Sequence, residues 1–316
     1  MSTIAKAPAV LMLCPMPPEL QQRIENAYMV YRAWEFNAQG VTGAEYGCDI
    51  EAVVTSGALG IDDELMISLP QLRLIVSFGV GTDKINIPLA TLRGIQVSNT
   101  PGVLDNCVAD AAFALLMDLA RGISAADRFV RRGKWRDQAF PLQTRLRGKV
   151  CGIVGLGNIG RGIAVRASAF GMHIAYCGRS RQAGVPYAYY STVESLAKAA
   201  DFLVLAVPGG EETKHLVDSK VLNALGCTGF LINVSRGSVV DQDALIAALS
   251  NETIAGAGLD VFDNEPQVPE ALLLLETVVL TPHLASATHE TRAAMSDLVW
   301  RNLNGFFTTR TLPTAV

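Results

Sequence analysis

Arg236, Glu265 and His283 each stand a few residues beyond a short apolar run, in "GFLINVSRGSVVD", "IAGAGLDVFDNEP" and "TVVLTPHLAS". An arginine so placed can hold a carboxylate through its planar fork and polarise a neighbouring carbonyl. A histidine titrates near neutrality and can give a carbonyl oxygen its proton. A glutamate beside that histidine can orient the imidazole and favour its charged form, keeping it an acid. Singly, each residue has a plainer reading: a turn arginine, a solvated loop acid, a packing histidine. Their coincidence at three strand ends favours a shared site. His173, His215 and His289 keep the plainer readings.

The apolar runs that would position them form a series. "KVCGIVG", "HIAYCG", "FLVLAVP", "GFLINVS", "IAGAGLD" and "TVVLTP" read as strands, with helices between them such as "DQDALIAALS". An earlier series holds "AVLMLC", "MVYRAW", "AVVTS", "LRLIVSF" and "IQVSN", separated by the helical stretches "PELQQRIENA", "DDELMISLP" and "NIPLATLRG". Such alternation predicts βαβ units and parallel sheets, whose ligands bind at the carboxyl edge. A segment apolar around most of its circumference, "VLDNCVADAAFALLMDLARG", joins the two series. It predicts a helix buried between domains or against another subunit. The last helix, "TRAAMSDLVWRNLNGFF", has no later strand to serve and is expected to return to the first domain.

Composition narrows the partners. A chain of 316 residues has room for two cores. The net charge of -4 gives no reason to expect nucleic acid or an anionic membrane. Cys14, Cys48, Cys107, Cys151, Cys177 and Cys227 are scattered without a C-x-x-C pair, which favours reduced thiols and no metal cage. "APAVLMLC" is cut short by Pro15 and reads as a first strand rather than a signal peptide. The expected location is cytoplasmic.

"GIVGLGNIGRG" supplies a glycine-rich turn after a strand and before a helix, the context of a dinucleotide site. Gly155, Leu156, Gly157, Asn158, Ile159 and Gly160 would cradle the pyrophosphate, with the helix dipole adding attraction. About 20 residues on, an NAD site places a carboxylate against the ribose diol. Here "HIAYCGRSRQ" places Arg179, Ser180 and Arg181 instead. Guanidinium groups pair with a phosphate, each charge-assisted hydrogen bond contributing about 1.5–3 kcal/mol. NADP(H) is therefore expected over NAD(H). A solvated basic loop is the plainer alternative. Together with the strand-end residues, this turn points to hydride transfer to a 2-keto acid.

The chain resembles the D-isomer-specific 2-hydroxyacid dehydrogenases over nearly its whole length. The resemblance runs through "SFGVGTDKINI", "SNTPGVLDNCVADAAFALLMDLAR", "VRRGKW", "GIVGLGNIGR", "LAVPGGEETKHLV", "LINVSRGSVVDQDALIAAL", "GAGLDVFDNEP" and "LTPHLASAT". It implies two Rossmann-like doubly wound α/β domains of parallel sheet, with the active site in the cleft between them. The substrate-binding domain would be residues 1–99 with 288–316, and the dinucleotide-binding domain 100–287. The family's Arg–Glu–His set falls on Arg236, Glu265 and His283. Backbone N–H groups of Val80 and Gly81 would bind the substrate carboxylate. Asn233, Val234, Ser235 and Asp260 would line the nicotinamide, with Val207, Pro208 and Thr213 along the cofactor. A homodimer through the helix at 103–121 is also implied.

Within that family, "GRSR" looks like the branch of NADPH-preferring glyoxylate/hydroxypyruvate reductases, which includes hydroxyphenylpyruvate reductases. The expected reaction is reduction of a small 2-keto acid to the D-2-hydroxy acid. The alternatives are an NAD-linked dehydrogenase of another substrate, such as a phosphoglycerate or an aromatic hydroxy acid, and a nucleotide-sensing scaffold without turnover. Loops near "TSGALG" and "SFGVG" would face the substrate side chain, with Trp135 or Phe140 closing over it.

Overall fold

The computed structural model describes residues 7–35 and 49–316; Cys48 lies outside them. The chain divides into two compact units, Met1–Leu104 with Thr288–Val316, and Asp105–Ala287.

The first unit is built from short apolar strands, of which Ala9–Met12, Ile50–Ser56 and Leu74–Phe78 bury most side chains on both faces, as the interior of a parallel sheet requires. In chain order its elements are β1 (Ala9–Met12), α1 (Pro18–Ala27), β2 (Met29–Arg32), β3 (Ile50–Ser56), α2 (Asp63–Ser68), β4 (Leu74–Phe78), α3 (Ile87–Leu92) and β5 (Gln96–Ser98). The strands are parallel and ordered β2-β1-β3-β4-β5. Side chains start the helices: Asp62 accepts the Leu65 N–H at 2.7 Å and Asn86 the Leu89 N–H at 3.0 Å. The strand expected over "MVYRAW" stops at Arg32, where Ala33–Glu35 turn into a short 3-10 helix.

The second unit begins with α4 (Asp105–Arg121) and α5 (Ile123–Arg131). There follow β6 (Val150–Val154), α6 (Asn158–Ala169), β7 (His173–Cys177), β8 (Ala188–Tyr190), α7 (Val193–Ala199), β9 (Phe202–Leu205), α8 (Ser219–Leu225), β10 (Phe230–Asn233), α9 (Gln242–Ser250), β11 (Gly256–Leu259), α10 (Glu270–Leu273) and β12 (Val278–Leu280). Its seven parallel strands run β12-β11-β10-β9-β6-β7-β8. The order reverses between β6 and β9, and ligands of such sheets bind outside the carboxyl ends at that point. Two elements escaped the reading of sequence: β8, three residues on the sheet edge, and α5, which has no buried residue.

Helix α4 packs on α6, β10 and β11. Its Ala109, Ala112, Leu115, Leu116 and Leu119 are buried in the core of their own unit. The helix's apolar character thus has a sufficient cause within one chain. The last helix, α11 (His289–Thr308), packs on α1 and β4 in the first unit, after Thr288 caps it by accepting the Thr291 N–H. Among the described residues no helix is long and apolar enough to cross a membrane.

Candidate active site

The glycine turn is shaped by what a side chain would strike. At Gly160 a Cβ would come 2.1 Å from the Gly155 carbonyl oxygen, so only glycine lets α6 pack this closely on the turn. At Gly157 a Cβ would meet nothing within 4 Å, which leaves open space in front of the helix. Gly157 offers α6 no side-chain cap, and exposed Asn158 begins the helix. The first N–H groups therefore face outward, the donor set a pyrophosphate takes. Leu156 is buried and Ile159 half-buried behind them. The residues fit a dinucleotide.

Arg179, Ser180 and Arg181 follow β7 on an exposed loop. That loop is tied back to the turn by Gln182, a residue that no motif singles out. Its N–H donates to the Tyr176 hydroxyl at 2.7 Å and its side-chain amide donates to the Leu156 carbonyl at 3.0 Å. Its side-chain oxygen accepts from Arg161, in the first turns of α6. Two cationic residues are thus tethered beside the mouth of the glycine turn.

Residues 207–213 and 233–237 make a second linked pair of loops. Val207 donates its N–H to the Ser235 hydroxyl at 3.1 Å. The Thr213 hydroxyl donates to the Pro208 carbonyl at 2.8 Å. Asn233, buried at the end of β10, accepts the Ser235 N–H at 3.0 Å and donates to the Arg236 carbonyl at 2.8 Å, closing the turn that presents Arg236. Half-buried Val234 packs on the core behind. At Gly237 a Cβ would come 2.0 Å from the Phe262 carbonyl carbon, so the turn lies directly against the segment after β11.

On that segment Glu265 uses both oxygens. Oε1 accepts the Phe262 N–H at 3.0 Å, and Oε2 lies 2.8 Å from His283 Nδ1. Burial pushes the Glu265 carboxyl up. The hydrogen bonds from His283 and Phe262, with the positive charges of His283 and Arg236, outweigh it and hold the carboxyl below its ordinary value. With Nδ1 engaged, Nε2 of His283 is left for a substrate.

His283 sits at φ 51°, a left-handed conformation costing about 1–2 kcal/mol in a non-glycine residue. Asp260, only 1% exposed, fixes it there. The Asp260 carbonyl accepts the His283 N–H at 2.8 Å. Its carboxylate accepts the Thr281 hydroxyl at 2.6 Å and the N–H groups of Leu284 and Ala285 at 2.9 Å each. Asp260, expected along the nicotinamide, also ties down the loop that carries His283.

In the first unit, Val80 and Gly81 follow β4 in a loop whose Val80 is 37% exposed. Phe140 packs edge-on against Phe129 with ring centres 5.3 Å apart, and Trp135 is 70% exposed. A cavity of about 250 Å³ beside Phe140 is lined by Arg128, Arg132, Lys134 and Glu276 and contains none of Arg236, Glu265 or His283.

Residues 113–285 match the family described as the D-isomer specific 2-hydroxyacid dehydrogenase NAD binding domain. A glyoxylate/hydroxypyruvate reductase of Arabidopsis thaliana is 46% identical over 97% of this chain and 98% of its own. A hydroxyphenylpyruvate reductase of Plectranthus scutellarioides is 44% identical over 98% and 99%. The crystal structure of an NADPH-dependent glyoxylate/hydroxypyruvate reductase from Sinorhizobium meliloti, in complex with NADP and malonate, superposes with a TM-score of 0.93. It is 44% identical, covering 98% of this chain and 97% of that one. A glycine turn that fits a dinucleotide, a carboxylate-paired histidine and these full-length likenesses agree: the chain belongs to the D-isomer-specific 2-hydroxyacid dehydrogenase family.

Proposed function

We propose that the protein reduces a small 2-keto acid of the glyoxylate or hydroxypyruvate type to the D-2-hydroxy acid, with NADP(H) preferred over NAD(H). The Glu265–His283 pair at 2.8 Å carries this reading. With its pyrophosphate held at the glycine turn, the cofactor would supply the hydride from its nicotinamide. His283 Nε2 gives the carbonyl oxygen its proton, and Glu265 holds the ring in the orientation this needs. Arg236 holds the substrate carboxylate and polarises the carbonyl, assisted by the N–H groups of Val80 and Gly81. Asn233, Val234, Ser235, Asp260, Val207, Pro208 and Thr213 shape the cofactor side, and Asp260 also holds the proton donor in place.

Arg179 and Arg181 support the cofactor preference. Both are exposed, and neither pairs with a carboxylate among the described residues, so both remain available to a ribose phosphate. The Sinorhizobium meliloti relative is an NADP-bound, NADPH-dependent enzyme.

The reading includes a homodimer in the cytoplasm, paired through the helix at 103–121. With the core-facing side of α4 buried in its own unit, exposed Ile123, Val130, Trp135 and Leu142 just beyond it offer apolar surface to a second copy. Sedimentation tests this, with a dimer mass expected.

Product analysis tests the reaction. Incubation with hydroxypyruvate and NADPH is expected to yield D-glycerate by chiral chromatography. L-glycerate, or no product, contradicts the assignment.

A further inference from the structure

Strand β4 ends at Phe78, and the chain turns at Gly79, whose φ of 148° disfavours any side chain. The next two carbonyls are both drawn to one segment. The Gly79 carbonyl accepts the Thr100 N–H at 2.9 Å, and the Val80 carbonyl accepts the side-chain amide of Asn99 at 2.7 Å. These peptides are trans, since the one cis bond recorded among the described residues is Glu265–Pro266. In a planar trans peptide the carbonyl oxygen and the amide hydrogen point in opposite directions. Holding both carbonyls toward Asn99 and Thr100 therefore turns the N–H groups of Val80 and Gly81 away from them, side by side. Neither N–H donates to another described residue. Two successive N–H groups on one side form a concavity suited to an anion.

Asn99 is fixed from behind by the end of the chain. The Thr314 hydroxyl donates to the Asn99 carbonyl at 2.6 Å, and the Asn99 N–H donates to the Thr314 carbonyl at 3.4 Å. Asn302, fully buried on α11, locks Thr314 in turn. Its amide donates to the Thr314 hydroxyl at 2.8 Å and its oxygen accepts the Thr314 N–H at 3.1 Å. Val316 adds a bond to the Val97 carbonyl at 2.9 Å, so the C-terminal segment lies along β5 as a strap.

We infer that Asn99 and Thr314 are positioning residues that aim the Val80 and Gly81 N–H groups at the substrate carboxylate, and so set affinity for the keto acid. The inference rests on the reading above that this loop holds the carboxylate. It assigns the C-terminal strap a part in substrate binding although none of its side chains is given to the substrate.

Steady-state kinetics with hydroxypyruvate and NADPH test it. Asn99→Ala is expected to raise the hydroxypyruvate KM roughly 10-fold while kcat and the NADPH KM hold within about twofold. Thr314→Val shifts KM in the same direction, and Thr314→Ser, which keeps the hydroxyl, restores it. Gly81→Pro removes the N–H itself and raises KM as well. A raised KM in Gly81→Pro with an unchanged one in Asn99→Ala overturns the role of Asn99 and leaves the loop's role standing. Unchanged values in both remove the loop from carboxylate binding, and the inference falls with it. Should Gly81→Pro fail to melt cooperatively, the Ki of malonate against wild type and Asn99→Ala decides: a roughly 10-fold rise supports the inference and equal values overturn it. Parallel loss of substrate and cofactor affinity with a lowered Tm in Asn99→Ala overturns it in favour of a purely structural role.

Discussion

Glu265 holds His283 by a single short contact, Oε2 to Nδ1 at 2.8 Å, while its other oxygen is anchored on the Phe262 N–H. The carboxylate is thus fixed at both ends, and the imidazole orientation follows from it. Glu265→Gln keeps the shape but offers one acceptor oxygen instead of two. We expect kcat on hydroxypyruvate to fall about 10–100-fold, with the NADPH dissociation constant unchanged. Single-turnover kinetics and fluorescence titration check both halves; wild-type kcat would remove Glu265 from the mechanism.

The same carboxyl links stability to pH. Its value lies below the ordinary 4.5 because bonds to His283 and Phe262 outweigh burial. A depressed carboxyl contributes stability that is fully present above the ordinary value and is lost as pH falls through the folded value. The Tm advantage of wild type over Glu265→Gln should therefore be present in full at about pH 5–6 and shrink steadily as pH falls below 4.5. Paired melting curves from pH 3 to 7 measure it, on a scale of about 4 pH units. A gap that widens on acidification would show that the pair does not favour the ionised form.

Asp260 makes a sharper structural prediction. Three donors converge on its buried carboxylate, and asparagine has one carbonyl oxygen for them. Asp260→Asn should cost about 1–3 kcal/mol in urea unfolding, since at least one donor loses its partner. It should also lower kcat, because the strained His283 backbone loses its clamp. A destabilised enzyme with normal kcat would separate the clamp from catalysis.

Much of this was legible in the chain. Alternating apolar runs and helical stretches set out both parallel sheets, and the glycine turn announced itself because Gly155 and Gly160 answer local steric demands while Gly157 leaves room for a ligand. Arg236, Glu265 and His283 could be noticed because each follows a strand. What stayed hidden depends on partners distant in sequence. Gln182 reaches back 26 residues to Leu156, and Thr314 reaches back 215 residues to Asn99. Neither pairing leaves a periodicity or a motif. Asp260 reads as one more acid at a strand end until its three donors are seen. Strand β8 is three residues long with one exposed and two half-buried side chains, too short for an alternation to register. Helix α5 has no fully buried residue and follows α4 after a single glycine, so it does not stand apart from it in the sequence.

The tether at Gln182 yields a graded expectation. Gln182→Ala frees the loop of Arg179 and Arg181 from the turn without removing a charge. Its NADPH KM should rise by less than that of the Arg179→Ala/Arg181→Ala pair, with the NADH KM unchanged in both. A larger effect in Gln182→Ala, or equal effects on the two cofactors, would place the loop's importance elsewhere than phosphate binding.

The central claim is an NADPH-linked reduction, and the most direct measurement compares kcat/KM for NADPH and NADH with hydroxypyruvate as the fixed substrate, in wild type and in the Arg179→Ala/Arg181→Ala pair. Wild type should favour NADPH by at least about 10-fold, and the double variant should lose most of that preference, as expected for removing two charge-assisted contacts. A wild-type enzyme that turns over faster with NADH, or a preference the double variant leaves intact, would contradict the account.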